Sequence, residues 1–175
     1  MALDPSRTQL LVIDFQERLF GAMAPLARER ARKAADNLIF TARELGVPVD
    51  FTEQYPQGLG RTLPELGAVD PFEKMAFAAT DEAGFAARLT RPHVVLCGME
   101  AHICVAHTAV GLRARGLEVT VAWDACVSRR DEDAQVGMDW VRARGGEILS
   151  SETLMFGWLG RAEGALFKAV SKRIR

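Results

Sequence analysis

Three side chains able to carry covalent or proton-transfer chemistry stand at informative places in this 175-residue sequence: Asp14, Lys74 and Cys104. Asp14 closes the apolar run Leu10-Leu11-Val12-Ile13. A carboxylate at the end of a buried strand is partly desolvated and can act as a general base. The same position suits an N-cap or a loop anchor. Cys104 follows a second apolar run by the short turn Gly98-Met99-Glu100-Ala101-His102-Ile103 and leads into a helical stretch. A sulfur near a helix N-terminus is expected to favour the thiolate, the nucleophilic form, and the nearby amides can form an oxyanion hole. A buried helix cysteine that merely fills space would occupy the same place. Lys74 follows Asp70-Pro71-Phe72-Glu73. An ammonium beside a carboxylate and a thiol would stabilise both anions; taken alone, it reads as a surface lysine.

The remaining reactive residues carry weaker signals. Cys97 lies inside an apolar run and reads as core, because cysteines in apolar surroundings are inert. Cys126 follows Trp123-Asp124-Ala125 without an obvious helix start and reads as structural. His107 comes three residues after Cys104, so a Cys–His dyad on one helix face is a rival arrangement. His102 lies in the turn before Cys104 and is expected to line a pocket, whereas His93, at the start of a strand, is expected at the surface. There is no HExxH, DxH or paired-cysteine spacing, so no metal is expected. Gly58-Leu59-Gly60 does not complete a dinucleotide fingerprint, which speaks against a nucleotide-binding oxidoreductase, and there is no phosphate-binding loop.

These residues need a scaffold, and the periodicity supplies one. Strands are expected at residues 9–14, 47–52, 72–77, 93–98, 117–122 and 147–149. Helices are expected at 24–45, 102–115 and 131–144, with a helical remainder after the last strand. Leu38, Ala42 and Leu45 sit at helical spacing, and Gly46 is a natural stop. Strands that are apolar throughout and separated by helices imply a mainly parallel sheet covered on both faces. The expected fold is therefore a three-layer α/β/α doubly wound, Rossmann-like domain with six strands, spanning residues 1–175 as one unit. Ligands of such sheets bind beyond the carboxyl ends of the strands, where Asp14 and Cys104 fall.

The bulk properties narrow the function classes. A net charge of −1 offers no electrostatic footprint for nucleic acid. Three cysteines without a CxxC pair do not form a disulfide framework and fit a reducing compartment. Met1-Ala2-Leu3-Asp4-Pro5 does not read as a signal peptide, and no apolar run approaches the roughly 20 residues of a membrane span. A cytoplasmic protein acting on a small molecule, away from membranes, is the expectation. Trp140, Phe156 and Trp158 either cover the sheet or offer a surface to a partner.

Taken together, Leu11-Val12-Ile13-Asp14-Phe15-Gln16, Lys74, and Gly98-Met99-Glu100-Ala101-His102-Ile103-Cys104-Val105 resemble the ordered motifs of the isochorismatase-like cysteine hydrolases. The resemblance runs from about Thr8 to the last strand. Thr52-Glu53-Gln54-Tyr55-Pro56 and the Glu100-Ala101-His102 turn bring the chain nearest to the small isochorismatase domain-containing hydrolases of undefined substrate. The resemblance implies that Cys104 is the nucleophile, Asp14 its base and Lys74 the third catalytic member. It further implies a non-proline cis peptide at Met99–Glu100 and oxyanion donors in the backbone N–H groups of Glu100 and Cys104. The reaction implied is cleavage of a small amide, ester or related C–N bond through a cysteine thioester, without a cofactor, in a homo-oligomer. The expected pocket lining is Phe15, Leu19, Tyr55, Phe77 and His102. Two departures matter. The loop after the second strand lacks the histidines with which nicotinamidases bind a metal, and Cys104 does not suit the vinyl-ether cleavage of true isochorismatases. The alternative is a catalytically silent binding or interaction protein on the same fold.

Overall fold

The computed structural model describes residues 3–175. Six strands form one sheet: β1 (Thr8–Ile13), β2 (Val49–Gln54), β3 (Phe72–Lys74), β4 (His93–Met99), β5 (Glu118–Val127) and β6 (Glu147–Leu149). They lie in the order β3-β2-β1-β4-β5-β6, and every pairing is parallel. Helices α1 (Glu17–Gly21), α2 (Pro25–Glu44), α3 (Pro56–Leu59), α4 (Ala106–Ala114), α5 (Asp131–Ala143), α6 (Ser151–Leu159) and α7 (Gly164–Arg173) complete the doubly wound α/β architecture. No helix among the described residues is long and apolar enough to cross a membrane.

β1 and β4 are buried at every position, as strands covered on both faces must be. They are neighbours at the centre of the sheet, although β2 and β3 come between them in the chain. The winding reverses between them, so a crevice opens beyond their carboxyl ends. Asp14 leaves β1 and the turn to Cys104 leaves β4 at this crevice. Gly98 makes the close approach of the two strands feasible. Its φ is +139°, and a Cβ there would stand 2.0 Å from the Ile13 carbonyl oxygen.

α2 buries a stripe of Ala31, Ala35, Leu38 and Ala42, the helical spacing read from the sequence. Gly46 ends the helix region with φ +69°. Other expectations need correction. The third strand stops at Lys74 instead of running to residue 77, because Lys74 turns its ammonium inward toward the carbonyl oxygens of Ala76 and Phe77. The stretch after β4 begins as a π-helical turn, Ala101–Val105, before α4. β5 is longer than expected and irregular: Leu96 pairs with Val121 but Gly98 with Cys126, so the intervening residues of β5 bulge. His93 is buried, not at the surface. Its ring bridges the hydroxyls of Thr8 (3.2 Å) and Thr120 (2.9 Å), and burial lowers its pKa.

The aromatic residues considered for a partner surface pack within the chain. Trp158 is buried, Phe156 packs against Phe167, and Trp140 meets His107 edge-on.

Candidate active site

Asp14, Lys74 and Cys104 come from three different strand ends and converge. Asp14 has a left-handed backbone (φ 51°), an uncommon conformation for a residue other than glycine. Its Oδ2 accepts a hydrogen bond from Lys74 Nζ at 2.8 Å, and both side chains are fully sealed from solvent. Its Oδ1 accepts from Thr52 Oγ1 at 2.6 Å. Lys74 Nζ also donates to Gln54 Oε1 at 2.7 Å and lies 3.3 Å from the Ala76 and Phe77 carbonyl oxygens. A buried ammonium is tolerated only with this degree of satisfaction.

The polar cradle reaches further than the three residues singled out by the sequence. Gln54 donates from Nε2 to the Met75 carbonyl at 2.8 Å, and its backbone N–H donates to Gln16 Oε1 at 2.7 Å. Gln16 in turn donates to the carbonyls of Gln54 (3.0 Å) and Gly60 (2.7 Å). Sequence reasoning does not single out Thr52, Gln54 or Gln16 as site residues. The available signal is the spacing of Thr52 and Gln54, two apart at the end of a buried strand and so on one face of it.

The Cys104 thiol is 5% exposed and lies where the charges of both Asp14 and Lys74 act on it. Burial pushes it up to about 12; the adjacent Asp14 carboxylate adds to the rise, and Lys74 partly offsets it. The expected helix-terminus stabilisation of a thiolate is therefore overridden. The desolvated sulfur sits in a π-helical turn beside an anion and is held as the neutral thiol.

The Met99–Glu100 peptide is cis. Glu100 is a second buried carboxylate. It accepts from the Arg129 backbone N–H at 3.0 Å and from Arg129 Nε at 3.1 Å and 3.2 Å, tying the turn before Cys104 to the approach of α5. His102 bonds through Nδ1 to Ser128 Oγ at 2.9 Å on the same side of the turn. α5 packs so closely there that a Cβ on Gly137 would stand 2.5 Å from His102 Cα. His107 is exposed and occupied by Trp140, with ring centroids 4.9 Å apart, which leaves the Cys–His dyad without support.

The expected lining residues are distributed unevenly. Phe15 is fully buried in the core and Leu19 half-buried in α1. Tyr55 (47% exposed) and Phe77 (60% exposed) flank Lys74, for the Tyr55 amide donates to the Lys74 carbonyl and Lys74 Nζ approaches the Phe77 carbonyl. Cys97 and Cys126 are buried free thiols whose pKa values burial raises.

Residues 8–153 match the model of the isochorismatase domain. Isochorismatase domain-containing protein 2 of Bos taurus is 37% identical over 175 residues, covering 98% of this chain and 84% of that one. A structure described as the MAR1 ribonuclease of Caenorhabditis elegans superposes with a TM-score of 0.89 at 33% identity, covering 98% of this chain and 91% of that one. The YcaC gene product of Escherichia coli, described as an octameric hydrolase of unknown specificity, shares the fold with a TM-score of 0.90 at 18% identity, covering 99% and 90% of the two chains.

Proposed function

The chain belongs to the isochorismatase family, and from that premise we propose that it is a cysteine hydrolase cleaving a small amide, ester or related C–N bond through a thioester on Cys104. The observation that carries this reading is the sealed Asp14–Lys74 pair, 2.8 Å apart, whose charges act on the buried Cys104 thiol. With a thiol pKa of about 12, only about one sulfur in 10⁵ is ionised at pH 7, so deprotonation must accompany attack.

Asp14 takes the Cys104 proton as the sulfur–carbon bond forms. The carbonyl π electrons move to oxygen, which the backbone N–H groups of Glu100 and Cys104 receive, with Lys74 supplying the nearby positive charge. The oxyanion collapses, the C–N or C–O bond breaks, and Asp14 returns its proton to the leaving amine or alcohol. Water then attacks the thioester. Asp14 takes a proton from it and passes that proton to the departing sulfur. Lys74 holds one Asp14 carboxylate oxygen and Thr52 the other, which orients the base. Leu19, Tyr55, Phe77 and His102 form the walls for a small, mostly apolar substrate with one polar handle, while Phe15, expected among them, is sealed in the core. On this reading the protein works in the cytoplasm as a homo-oligomer.

The test is intact-protein mass spectrometry after mixing with p-nitrophenyl acetate and a panel of small amides. A transient acyl adduct on Cys104, absent in Cys104→Ala and in Asp14→Asn, is the expected result. Unacylated Cys104 throughout would favour the silent binding protein. An RNA oligonucleotide run in parallel probes the activity named for the nematode neighbour, and RNA cleavage that survives Cys104→Ala would overturn the thioester mechanism.

A further inference from the structure

We propose that the cleft beside Trp123, on the far side of the nucleophile turn, is a second ligand site that binds a small planar anion such as an aromatic carboxylate. The cleft has a volume of about 430 Å³, within the range of roughly 300–1,000 Å³ typical of small-molecule sites. It exists because β5 outruns its neighbour. β6 pairs only with Thr120, Val121 and Ala122, so the rest of β5 has no strand on that side. The bulge in β5 falls there too, and Trp123 within it is 48% exposed. The first turns of α2 and the length of α5 supply the side walls, through Arg30 on one side and Asp131 and Arg142 on the other.

The lining selects the ligand class. The Arg30 guanidinium stands 6.0 Å from the centre of the Trp123 ring. Its helix neighbour Arg32 is paired with Glu29 at 2.9 Å, but Arg30 enters no ion pair among the described residues. Arg30, Asp131 and Arg142 are the charged side chains of the lining. Arg142 is already held by Asp139 at 2.7 Å, which leaves Arg30 as the cation with a free fork for a carboxylate. An exposed indole under a guanidinium is a stacking platform for a flat ring. Asp14, Lys74 and Cys104 do not line this cleft; it meets the nucleophile turn only through Ala101, with Ser128 beside it.

The experiment is isothermal titration of the native assembly with 1-naphthoate, with the neutral 1-naphthylmethanol as control. The expected result is saturable binding of one naphthoate per chain, at least tenfold weaker in Arg30→Gln and for the neutral alcohol, and unchanged after Cys104 is alkylated. Arg30 is an exposed helix residue, so Arg30→Gln is expected to fold as the wild type does, and its circular dichroism melt checks this. Binding that is equal in Arg30→Gln, or lost on alkylation of Cys104, overturns the proposal by placing the anion elsewhere. Absence of binding, which a partner chain seated over Trp123 would also produce, overturns it as well. None of these outcomes bears on acylation of Cys104, which is read separately.

Discussion

Two carboxylates leave the carboxyl edge of the sheet at neighbouring strands, each buried and each bonded to a cation, yet they do different work. Asp14 faces Lys74 with both side chains at 0% exposure, whereas Glu100 (6% exposed) faces an Arg129 that is 61% exposed. Lys74 has no route to water and depends on Asp14, Gln54 and two carbonyls for all its solvation. Arg129 keeps its hydration and donates both a backbone N–H and a side-chain Nε to one carboxylate. A sealed pair is an expensive arrangement that an apolar pair of similar volume would often replace without loss of stability. On the proposed mechanism, its presence beside a thiol is explained by proton transfer. The half-exposed pair is a tether between the turn after β4 and the approach of α5, and on the proposed mechanism that turn carries the oxyanion donors.

The sharpest way to break this comparison is to remove one member of the sealed pair. Lys74→Met strands the Asp14 charge in the interior. It is expected to cost about 3–5 kcal/mol in urea unfolding and to lower turnover by about a hundredfold to ten-thousandfold. Combining Lys74→Met with Asp14→Asn should recover much of the lost stability, giving a large coupling energy in the double-mutant cycle. The corresponding cycle on Glu100 and Arg129 should give a small one. Equal coupling in the two cycles would show that burial does not distinguish the pairs.

Cys104→Ala comes next. It should abolish thioester formation and turnover while unfolding stays within about 1–2 kcal/mol of the wild type, since one sulfur is removed and no charge is stranded. Turnover surviving in this variant would detach the sealed pair from any thiol chemistry. Glu100→Gln should act more mildly. Loss of the tether is expected to lower kcat by about tenfold to a hundredfold, with KM and the unfolding midpoint little changed. A collapse of the fold in Glu100→Gln would make this carboxylate as structurally critical as Asp14.

The last prediction is one of pH. Cys97, Cys104 and Cys126 all have folded-state pKa values raised above the ordinary 9.0 by burial. Above pH 9 the unfolded chain releases thiol protons that the folded chain retains, so fewer protons are bound in the unfolded state and stability falls as pH rises. Each buried thiol contributes a slope of about 1.4 kcal/mol per pH unit until its folded pKa is reached. Chemical denaturation between pH 8 and 11 should show this decline, and Cys104→Ala should make it shallower by one thiol's share. An unchanged slope would mean that Cys104 is not held as a neutral thiol beside Asp14.

Much of this was legible in one dimension. The apolar runs at residues 9–14 and 93–98 identify central strands because only strands buried on both faces lack polar alternation. Asp14 and Cys104 stand out because doubly wound sheets place chemistry at their carboxyl edge. Lys74 is different. Nothing local distinguishes it from a surface lysine, and its meaning came from its place in the family's ordered motifs. His93 shows the opposite error: at the start of a strand it reads as exposed, but Thr8 and Thr120 on the flanking strands supply both of its ring partners.

The sequence by itself determined the element types, the family and the strand ends where chemistry belongs, because side-chain period and turn residues are local properties. Only the tertiary structure decided the burial and the company of the reactive groups. Desolvation and hydrogen bonding depend on segments remote in sequence: Thr52 reaches Asp14 across 38 residues and Lys74 across 60, while Gln54 reaches Lys74 across 20. It is this enclosure that pushes the thiol of Cys104, expected from its place near a helix start to favour the thiolate, up to about 12.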